Sequence, residues 1–245
     1  MFEPRVALAS LSGESDAAWA RQGAPYAGAA FLGGIAIDAE TREAARQMRT
    51  RDREEFLPPD PISFIAEELA TLSETPIRAG FNVRTTTLAP LREASEVCAQ
   101  YNAFVEINAH CRQAEMCATG AGEALLAETD RLCEQVRVAA ETGAQVSVKV
   151  RAETGVSLPT LATAIEDAGA DMIHVDAMDS ESVIKAVADQ TELFVIANNE
   201  VRDRESVEEY LTYGADAVSV GRPSTNPEIL KRVSELTAEW FTPKL

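Results

Sequence analysis

Polar and charged side chains alternate with apolar ones in five short segments of the sequence. Successive side chains of a β-strand point to opposite faces, so each segment would place its polar groups on one face. In Gln145–Arg151, for example, Lys149 and Arg151 oppose Val148 and Val150. The polar members of the five segments are Glu106, Asn108, Lys149, Arg151, His174, Asp176, Asn198, Ser219 and Gly221. Such a set can bind an anionic group and transfer protons.

The apolar face of each segment should pack against helices, which turns the polar face inward. An isolated buried cation is costly, so Lys149 needs a carboxylate partner, water or a bound anion. Two interpretations remain open. The ion pairs Glu106–Lys149 and Asp176–Arg151 would only stabilise the fold, whereas convergence of all five segments on one cavity would form a site. The number of segments involved favours a site.

Eight strand-like segments alternate with helical patterns along the 245 residues. Glycines 143, 169 and 214 follow predicted helices and precede the next strand, which indicates repeated helix–strand units and parallel strands. We therefore predict an α/β fold, a (β/α)8 TIM barrel, as a single domain over residues 1–245, with residues 36–75 forming an elaborated βα connection. An open doubly wound sheet is the alternative, but no GxGxxG follows the first strand. The predicted strands are Arg5–Ser10, Ala29–Ile35, Ile77–Val83, Ala103–Ala109, Gln145–Val150, Met172–Ala177, Leu193–Asn198 and Ala217–Gly221.

Barrel enzymes carry their active sites at the carboxyl ends of the strands, and a phosphate often binds after strands 7 and 8. Here Asn198-Asn199 ends the seventh predicted strand and Gly221-Arg222 the eighth. Small residues let backbone N–H groups approach a phosphate, and Arg222 could bind it with two hydrogen bonds. The sequence thus predicts a phosphate site at this end. An ordinary loop glycine and a surface arginine are the alternative.

The charge composition is unusual. Forty Asp and Glu against 22 Lys and Arg give a net charge of −18, which repels nucleic acid and predicts a salt-adapted protein. No secretion signal or membrane span is recognisable, so we expect a cytoplasmic protein without membrane contact. The four cysteines and two histidines match no zinc spacing, and we predict no metal site. The sequence leaves homo-oligomerisation open.

Four motifs in order resemble the dihydrouridine synthases. They are Asn108-Ala109-His110-Cys111-Arg112 followed by Gly120-Ala121-Gly122-Glu123-Ala124-Leu125-Leu126, then Val148-Lys149-Val150-Arg151, Asn198, and Gly221-Arg222. The family has Gly-Cys-Pro, Gly-x-Gly-x-x-Leu-Leu, Val-Lys-x-Arg, Asn-Gly-Asp and Gly-Arg at these places. Asn82 lies near a family Gln. The resemblance covers roughly residues 100–235.

The resemblance implies an FMN-dependent oxidoreductase, related to dihydroorotate dehydrogenases, in which reduced flavin gives hydride to a uracil-type ring and a cysteine protonates the neighbouring carbon. It implies Cys111, Asn108 and His174 as catalytic residues. It implies that FMN contacts a second group of residues, with its phosphate at the strand 7–8 loops. That group is Asn82, Lys149, Arg151, Asp176, Asn198, Gly221 and Arg222.

Several positions depart from the family pattern. His110 replaces the glycine before the cysteine, and Asn199-Glu200 replaces Gly-Asp in the phosphate loop. Where the sixth strand of the family has a His and then an Arg, this chain has Asp176 and Met178. His174, on the same strand face, is expected to replace part of the missing imidazole.

The chain ends at Leu245, and we expect it to lack the C-terminal helical domain with which the family grips tRNA. A small heterocycle is therefore the expected substrate, with NAD(P)H as a candidate electron donor. Three alternatives remain: tRNA dihydrouridine synthesis, a flavin-free phosphate-binding isomerase or lyase that uses Lys149, Asp176 and Arg222, and a non-catalytic binding protein.

Overall fold

A computed structural model describes residues 1–242 of the chain. Eight parallel strands pair in sequence order, and the first also pairs with the last, which closes a barrel. The predicted (β/α)8 barrel is confirmed, and every predicted strand lies within two residues of an observed one. The strands are β1 (Val6–Leu8), β2 (Ala29–Ala36), β3 (Arg78–Arg84), β4 (Phe104–Asn108), β5 (Gln145–Arg151), β6 (Met172–Asp176), β7 (Phe194–Asn198) and β8 (Ala217–Val220).

Helices surround the barrel and follow local signals in the sequence. Asp38 and Asp203 each accept a hydrogen bond from a backbone N–H of the helix that follows, which satisfies a free donor of the first turn. Gly143, Gly169 and Gly214 have φ values of 83°, 104° and 92°, so each turns the chain from a helix toward the next strand as predicted. The helices are α1 (Ala17–Gly23), α2 (Ala39–Arg49), α3 (Pro61–Leu72), α4 (Leu88–Gln100), α5 (Ala114–Ala118), α6 (Thr129–Ala140), α7 (Leu158–Asp167), α8 (Val183–Ala188), α9 (Arg204–Thr212) and α10 (Pro227–Phe241), with 3₁₀ helices at Gly122–Ala127 and Arg222–Thr225.

The larger apolar core lies between the strands and the helices. Val146, Val148 and Val150 of β5 are fully buried in it, together with the outward-facing residues of the other strands. Their neighbours in sequence therefore point into the barrel. None of the helices within residues 1–242 is long and apolar enough to cross a membrane.

A smaller apolar core closes the amino-terminal end of the barrel. Phe31 and Phe104 stack there with ring centroids 5.9 Å apart, and Phe2 packs against the edge of Phe104 from below. Above this floor the interior side chains are polar. The barrel interior therefore changes from apolar to charged toward the carboxyl ends of the strands.

The connection between β2 and β3 contains α2 and α3. Between them, residues 50–60 contain neither helix nor strand, and we call this segment the strap. Just before this connection, the pairing of β2 with β3 is interrupted by a register shift between Gly33 and Ile35. A bulge of this kind redirects a strand locally. It lies at the level of Asn82, directly below the mouth of the barrel.

Candidate active site

A buried polar network fills the middle of the barrel. Glu106 is fully buried and its carboxylate accepts hydrogen bonds from Asn82 Nδ2 (2.7 Å) and Ser147 Oγ (3.1 Å). Its Oε2 also lies 2.8 Å from His174 Nδ1, and His174 Nε2 lies 2.8 Å from Ser219 Oγ. Side chains from five strands, β3, β4, β5, β6 and β8, are thus joined across the interior.

The Glu106 carboxylate is ionised in this network. Burial alone would raise the pKa of Glu106, but the hydrogen bonds from His174 and Asn82 and the charge of Lys149 outweigh burial, so its pKa lies below the usual value. The pKa of His174 is lowered, chiefly by burial, which favours its neutral form. An ionised carboxylate only accepts hydrogen bonds. His174 Nδ1 therefore carries the proton and donates a hydrogen bond to Glu106.

Asn108 connects the network to the loop that carries the cysteine. Its Nδ2 donates to Asn82 Oδ1 (2.8 Å), and its Oδ1 accepts from the backbone N–H groups of His110 (3.1 Å) and Cys111 (2.9 Å). The position of this loop is therefore fixed from inside the barrel. Cys111 is partly exposed.

His110 and Asp176 face each other at the mouth, with 2.6 Å between His110 Nε2 and Asp176 Oδ2. Burial would raise the pKa of Asp176, but His110, Lys149 and the backbone N–H of Met178 outweigh it and hold the pKa below its usual range. Burial, together with the charges of Lys149 and Arg151, lowers the pKa of His110 despite Asp176. The pair is therefore a neutral imidazole beside an ionised carboxylate.

Lys149 is one of three buried cations in the cavity wall, with Arg84 and Arg151. It is only 3% exposed, and within residues 1–242 its ammonium has neither a hydrogen-bond partner nor a carboxylate within 4 Å. Burial lowers its pKa, although the charges of Glu106 and Asp176 oppose the shift. A buried ammonium without a partner is costly, which makes an anion or hydrogen-bond acceptor in the neighbouring cavity favourable.

The mouth of the barrel holds a cavity of about 590 Å³, within the range typical of small-molecule sites. Its wall includes six Lys or Arg and four Asp or Glu, a positive excess in a chain whose net charge is −18. The cavity therefore suits an anionic ligand. The cations are Arg53, Arg84, Arg112, Lys149, Arg151 and Arg222, and the carboxylates are Glu14, Asp52, Glu54 and Asp176.

The strap covers one side of the mouth and is held by a buried ion pair. Arg84 Nη1 lies 2.7 Å from Glu55 Oε2, with the two side chains 1% and 0% exposed, and Arg84 Nη2 also contacts Ser12 Oγ. Arg51 at the start of the strap pairs with Glu115 at 2.7 Å. The strap is thus anchored on both β3 and the start of α5.

Residues at the ends of β7 and β8 leave open space for a phosphate. A Cβ added to Gly221 would meet no atom within 4 Å, and Arg222 lines the cavity. Asn199 and Glu200 keep left-handed backbone conformations, with φ of 124° and 50°, although neither is a glycine. The Asn199 side chain donates to the carbonyl oxygen of Met178 (2.7 Å), which helps hold this strained turn.

Six of the ten predicted site residues line the cavity: Asn108, Cys111, Lys149, Arg151, Asp176 and Arg222. Asn82 and His174 lie below it in the buried network, Asn198 Oδ1 lies 2.9 Å from Ser219 Oγ, and Gly221 precedes the 3₁₀ helix at the rim. The structure therefore brings the ten together at one end of the barrel, in two layers.

The two ion pairs considered as an alternative, Glu106–Lys149 and Asp176–Arg151, are absent from residues 1–242. Glu106 pairs with His174 rather than Lys149, and Asp176 pairs with His110, while Arg151 Nη1 pairs with Glu123 (2.9 Å). The imidazole at the mouth belongs to His110, because both nitrogens of His174 are engaged beneath the cavity. Arg151 and Asp176 lie on adjacent strands, but Asp176 instead contacts His110, which follows β4.

Sequence reasoning missed His110, Arg84 and Glu55 as parts of the site. The charged stretch before Pro58-Pro59 was a visible signal for the strap, but nothing local indicates that Glu55 meets Arg84, 29 residues away. Arg84 follows the same strand alternation as Asn82, and that pattern could have revealed it.

Comparison with known proteins adds an independent result. The family model for dihydrouridine synthase (Dus) matches residues 72–245, which is more than half of the chain. The chain belongs to the dihydrouridine synthase family. This places it in a superfamily of FMN-type oxidoreductases built on TIM barrels.

Individual relatives are distant. An uncharacterised protein of Methanocaldococcus jannaschii is 26% identical over 232 residues, covering 90% of this chain and 89% of that protein. A FabK mutant from Thermotoga maritima is similar with a TM-score of 0.62 and 15% identity, covering 91% of this chain but only 62% of the FabK chain. A chain of the tryptophan synthase complex from Pyrococcus furiosus has a TM-score of 0.62 and 16% identity, covering 97% of this chain and all of that one. At such identities the structural similarities support the barrel fold alone.

Proposed function

We propose that this dihydrouridine synthase family member binds FMN and transfers a hydride to or from a free pyrimidine-like ring. The observation that carries the proposal is Lys149, a largely buried side chain whose ammonium has no protein partner in residues 1–242 and lines a cavity at the carboxyl end of a barrel. With FMN bound, the Lys149 ammonium would favour negative charge on the reduced ring. Family membership supports the same cofactor.

The residues present fit FMN. The open space beside Gly221 and the guanidinium of Arg222 suit the phosphate, and the cavity of about 590 Å³ is large enough for a small ligand. Lys149 would meet the ring, and Asn108 and Arg151 line the wall beside it. Bound FMN would supply the hydride donor and acceptor.

The chain's own residues would prepare the substrate. Asn108 fixes the loop backbone at His110 and Cys111, so the thiol is held at the cavity wall. Cys111 is the residue that the family resemblance implies as proton donor to the ring carbon beside the one that receives hydride. The buried network beneath Asn108 maintains this orientation through the hydrogen bond from Asn108 to Asn82.

The strap favours a free heterocycle over a base in tRNA. It lies over one side of the mouth, and its charged residues at the cavity, Asp52, Arg53 and Glu54, leave it with a net negative charge there, opposite to the excess of cations deeper in the wall. Glu14 adds a further carboxylate. A polynucleotide would bring phosphates against these groups and against a net charge of −18. NAD(P)H is the proposed electron donor.

FMN binding is the first test. Purified protein should acquire flavin absorbance when incubated with FMN, and Lys149→Met should weaken FMN binding. A hydrogen bond to a charged group contributes about 1.5–3 kcal/mol, so the expected loss is roughly tenfold to a hundredfold. The control is Lys185→Met, which removes an exposed lysine paired with Asp189. Protein that binds no FMN, or equal losses in both variants, would contradict the proposal.

Substrate choice is the second test. The FMN-loaded protein is reduced with NADPH without oxygen, and flavin reoxidation is followed after addition of free uracil or of unmodified tRNA. We expect reoxidation by the free pyrimidine. Faster reoxidation by tRNA would replace this proposal with tRNA dihydrouridine synthesis.

A further inference from the structure

His110 presents one free ring nitrogen at the cavity wall. Its Nε2 lies 2.6 Å from Asp176 Oδ2, and within residues 1–242 its Nδ1 has no hydrogen-bond partner. The side chain is 31% exposed and lines the cavity. The contact with Asp176 orients the ring and leaves the free nitrogen available to a ligand in the cavity.

The protonation state of the pair follows from its chemistry. The pKa of Asp176 lies below its usual range, so the carboxylate is ionised and can only accept a hydrogen bond. His110 Nε2 must then carry the proton. Burial lowers the pKa of His110, which leaves the ring neutral and Nδ1 as a bare lone pair.

The other charged groups near the imidazole reinforce this state. Lys149 and Arg151 on β5 lie near the imidazole, and their positive charges disfavour an imidazolium at His110. His174 on β6 also lies near and is neutral. Asp176 is the acidic group among those that act on His110, and it compensates if Nδ1 takes up a proton. The same division of roles makes an Asp–His pair an effective base in hydrolases.

Cys111 occupies a different part of the wall. Its side chain packs partly against Met48, Met116 and Ala121, on the side of α2 and α5, whereas His110 points toward β6. Two groups able to transfer protons therefore approach the cavity from different directions.

We propose that His110, held by Asp176, is the catalytic base and acid for the ring-carbon proton in this cavity, the role that the family resemblance gives to Cys111. This rests on the proposed function and names a residue that acts on the same ring. When the saturated ring is oxidised, His110 Nδ1 takes the proton from the carbon next to a carbonyl, the hydride on the adjacent carbon passes to oxidised flavin, and a C=C bond forms. Reduction reverses each transfer, and the proton returns from Nδ1.

The His110–Asp176 pair provides a base for oxidation of the saturated ring. A thiol must first lose its own proton before it can act as a base, whereas a neutral imidazole is ready at neutral pH. Asp176 stabilises the imidazolium until the proton is returned or lost to water. The protein is therefore expected to oxidise a 5,6-dihydropyrimidine as well as to reduce a pyrimidine.

The first experiment needs no substrate. His110 and His174 are the two histidines of the chain, so ¹⁵N-histidine labelling gives two ring systems, and His110→Gln assigns them by removing one. In the FMN-loaded protein at neutral pH we expect His110 to be neutral with its proton on Nε2. Asp176→Asn should mix the two tautomers. A charged His110, or a proton on Nδ1 in the wild type, would overturn the proposal.

The second experiment measures proton transfer. Flavin reduction by 5,6-dihydrouracil and flavin reoxidation by uracil are followed by stopped flow across pH. General acid–base catalysis contributes about 10²–10⁴-fold, so His110→Gln should slow both reactions at least a hundredfold and remove one limb of the pH profile. Asp176→Asn should slow them less and move that limb, and the FMN dissociation constant of each variant is measured alongside.

The outcomes separate the two proposals. If His110→Gln keeps the wild-type rate and the same pH dependence while Cys111→Ser abolishes turnover, His110 is not the acid–base group and the proposal is overturned. If wild-type protein binds FMN but reacts with neither pyrimidine, the proposed substrate is wrong. The tautomer experiment then still decides whether His110 is held as a base.

Discussion

The buried ion pair of Arg84 and Glu55 tests whether the attachment of the strap stabilises the fold. Its Nη1–Oε2 distance is 2.7 Å, and both side chains are excluded from solvent. Within residues 1–242, Arg84 Nε and Glu55 Oε1 also lack hydrogen-bond partners. Glu55→Gln would leave the guanidinium charge buried and uncompensated, which typically costs about 3–5 kcal/mol. For a chain of this size that corresponds to a fall of roughly 6–20 °C in unfolding temperature.

The chain offers a matched control. Arg92 and Glu141 also lie 2.7 Å apart, but their side chains are 42% and 62% exposed. The same Glu→Gln change there, Glu141→Gln, should cost less than about 1 kcal/mol because water already solvates both charges. Free energies of unfolding are measured for both variants by urea denaturation in the same buffer.

A double variant separates the charge from the packing. Adding Arg84→Met to Glu55→Gln removes the uncompensated cation, so part of the lost stability should return. Equal and small losses for Glu55→Gln and Glu141→Gln would refute the argument that burial makes the Arg84–Glu55 pair an anchor.

Three further predictions concern titration, packing and salt. The pKa values of His110 and His174 are lowered in the folded protein, so the unfolded chain binds more protons below about pH 6.5. The free energy of unfolding should therefore fall as the pH drops below that value. His174→Gln should reduce this pH dependence, and an unchanged dependence would contradict the argument. Gly34→Ala would place a Cβ 2.8 Å from both Arg84 Nη2 and Asn82 Oδ1, so it should cost about 1–3 kcal/mol in urea denaturation unless both neighbours can move. With a net charge of −18, the unfolding temperature should rise from low to molar KCl, and a flat response would argue against salt adaptation.

Strand alternation was enough to predict the barrel and the faces of its strands. The alternation of valines in β5 and the glycines after the helices depend on neighbouring residues in the sequence, so they can be recognised without knowing the fold. The same pattern predicted that Asn108, Lys149 and Asp176 would meet at one end.

Pairing within the site could not be predicted from the sequence, because it depends on loops and on the stagger of the strands. Arg151 and Asp176 are neighbours in register, yet each finds another partner, in Glu123 and His110. Those partners lie on the segments that follow β4, whose paths no periodic pattern determines. Sequence alternation shows which way a side chain points, but not which group it touches.

The buried network beneath the cavity has an implication for how this protein can diversify. Glu106 joins Asn82 and His174 through hydrogen bonds, and Asn108 in turn donates to Asn82. Replacing one alone leaves a buried donor or acceptor unsatisfied. Substitutions in this layer should therefore show strong epistasis, so that new specificities arise more readily from the rim and the strap than from the layer below.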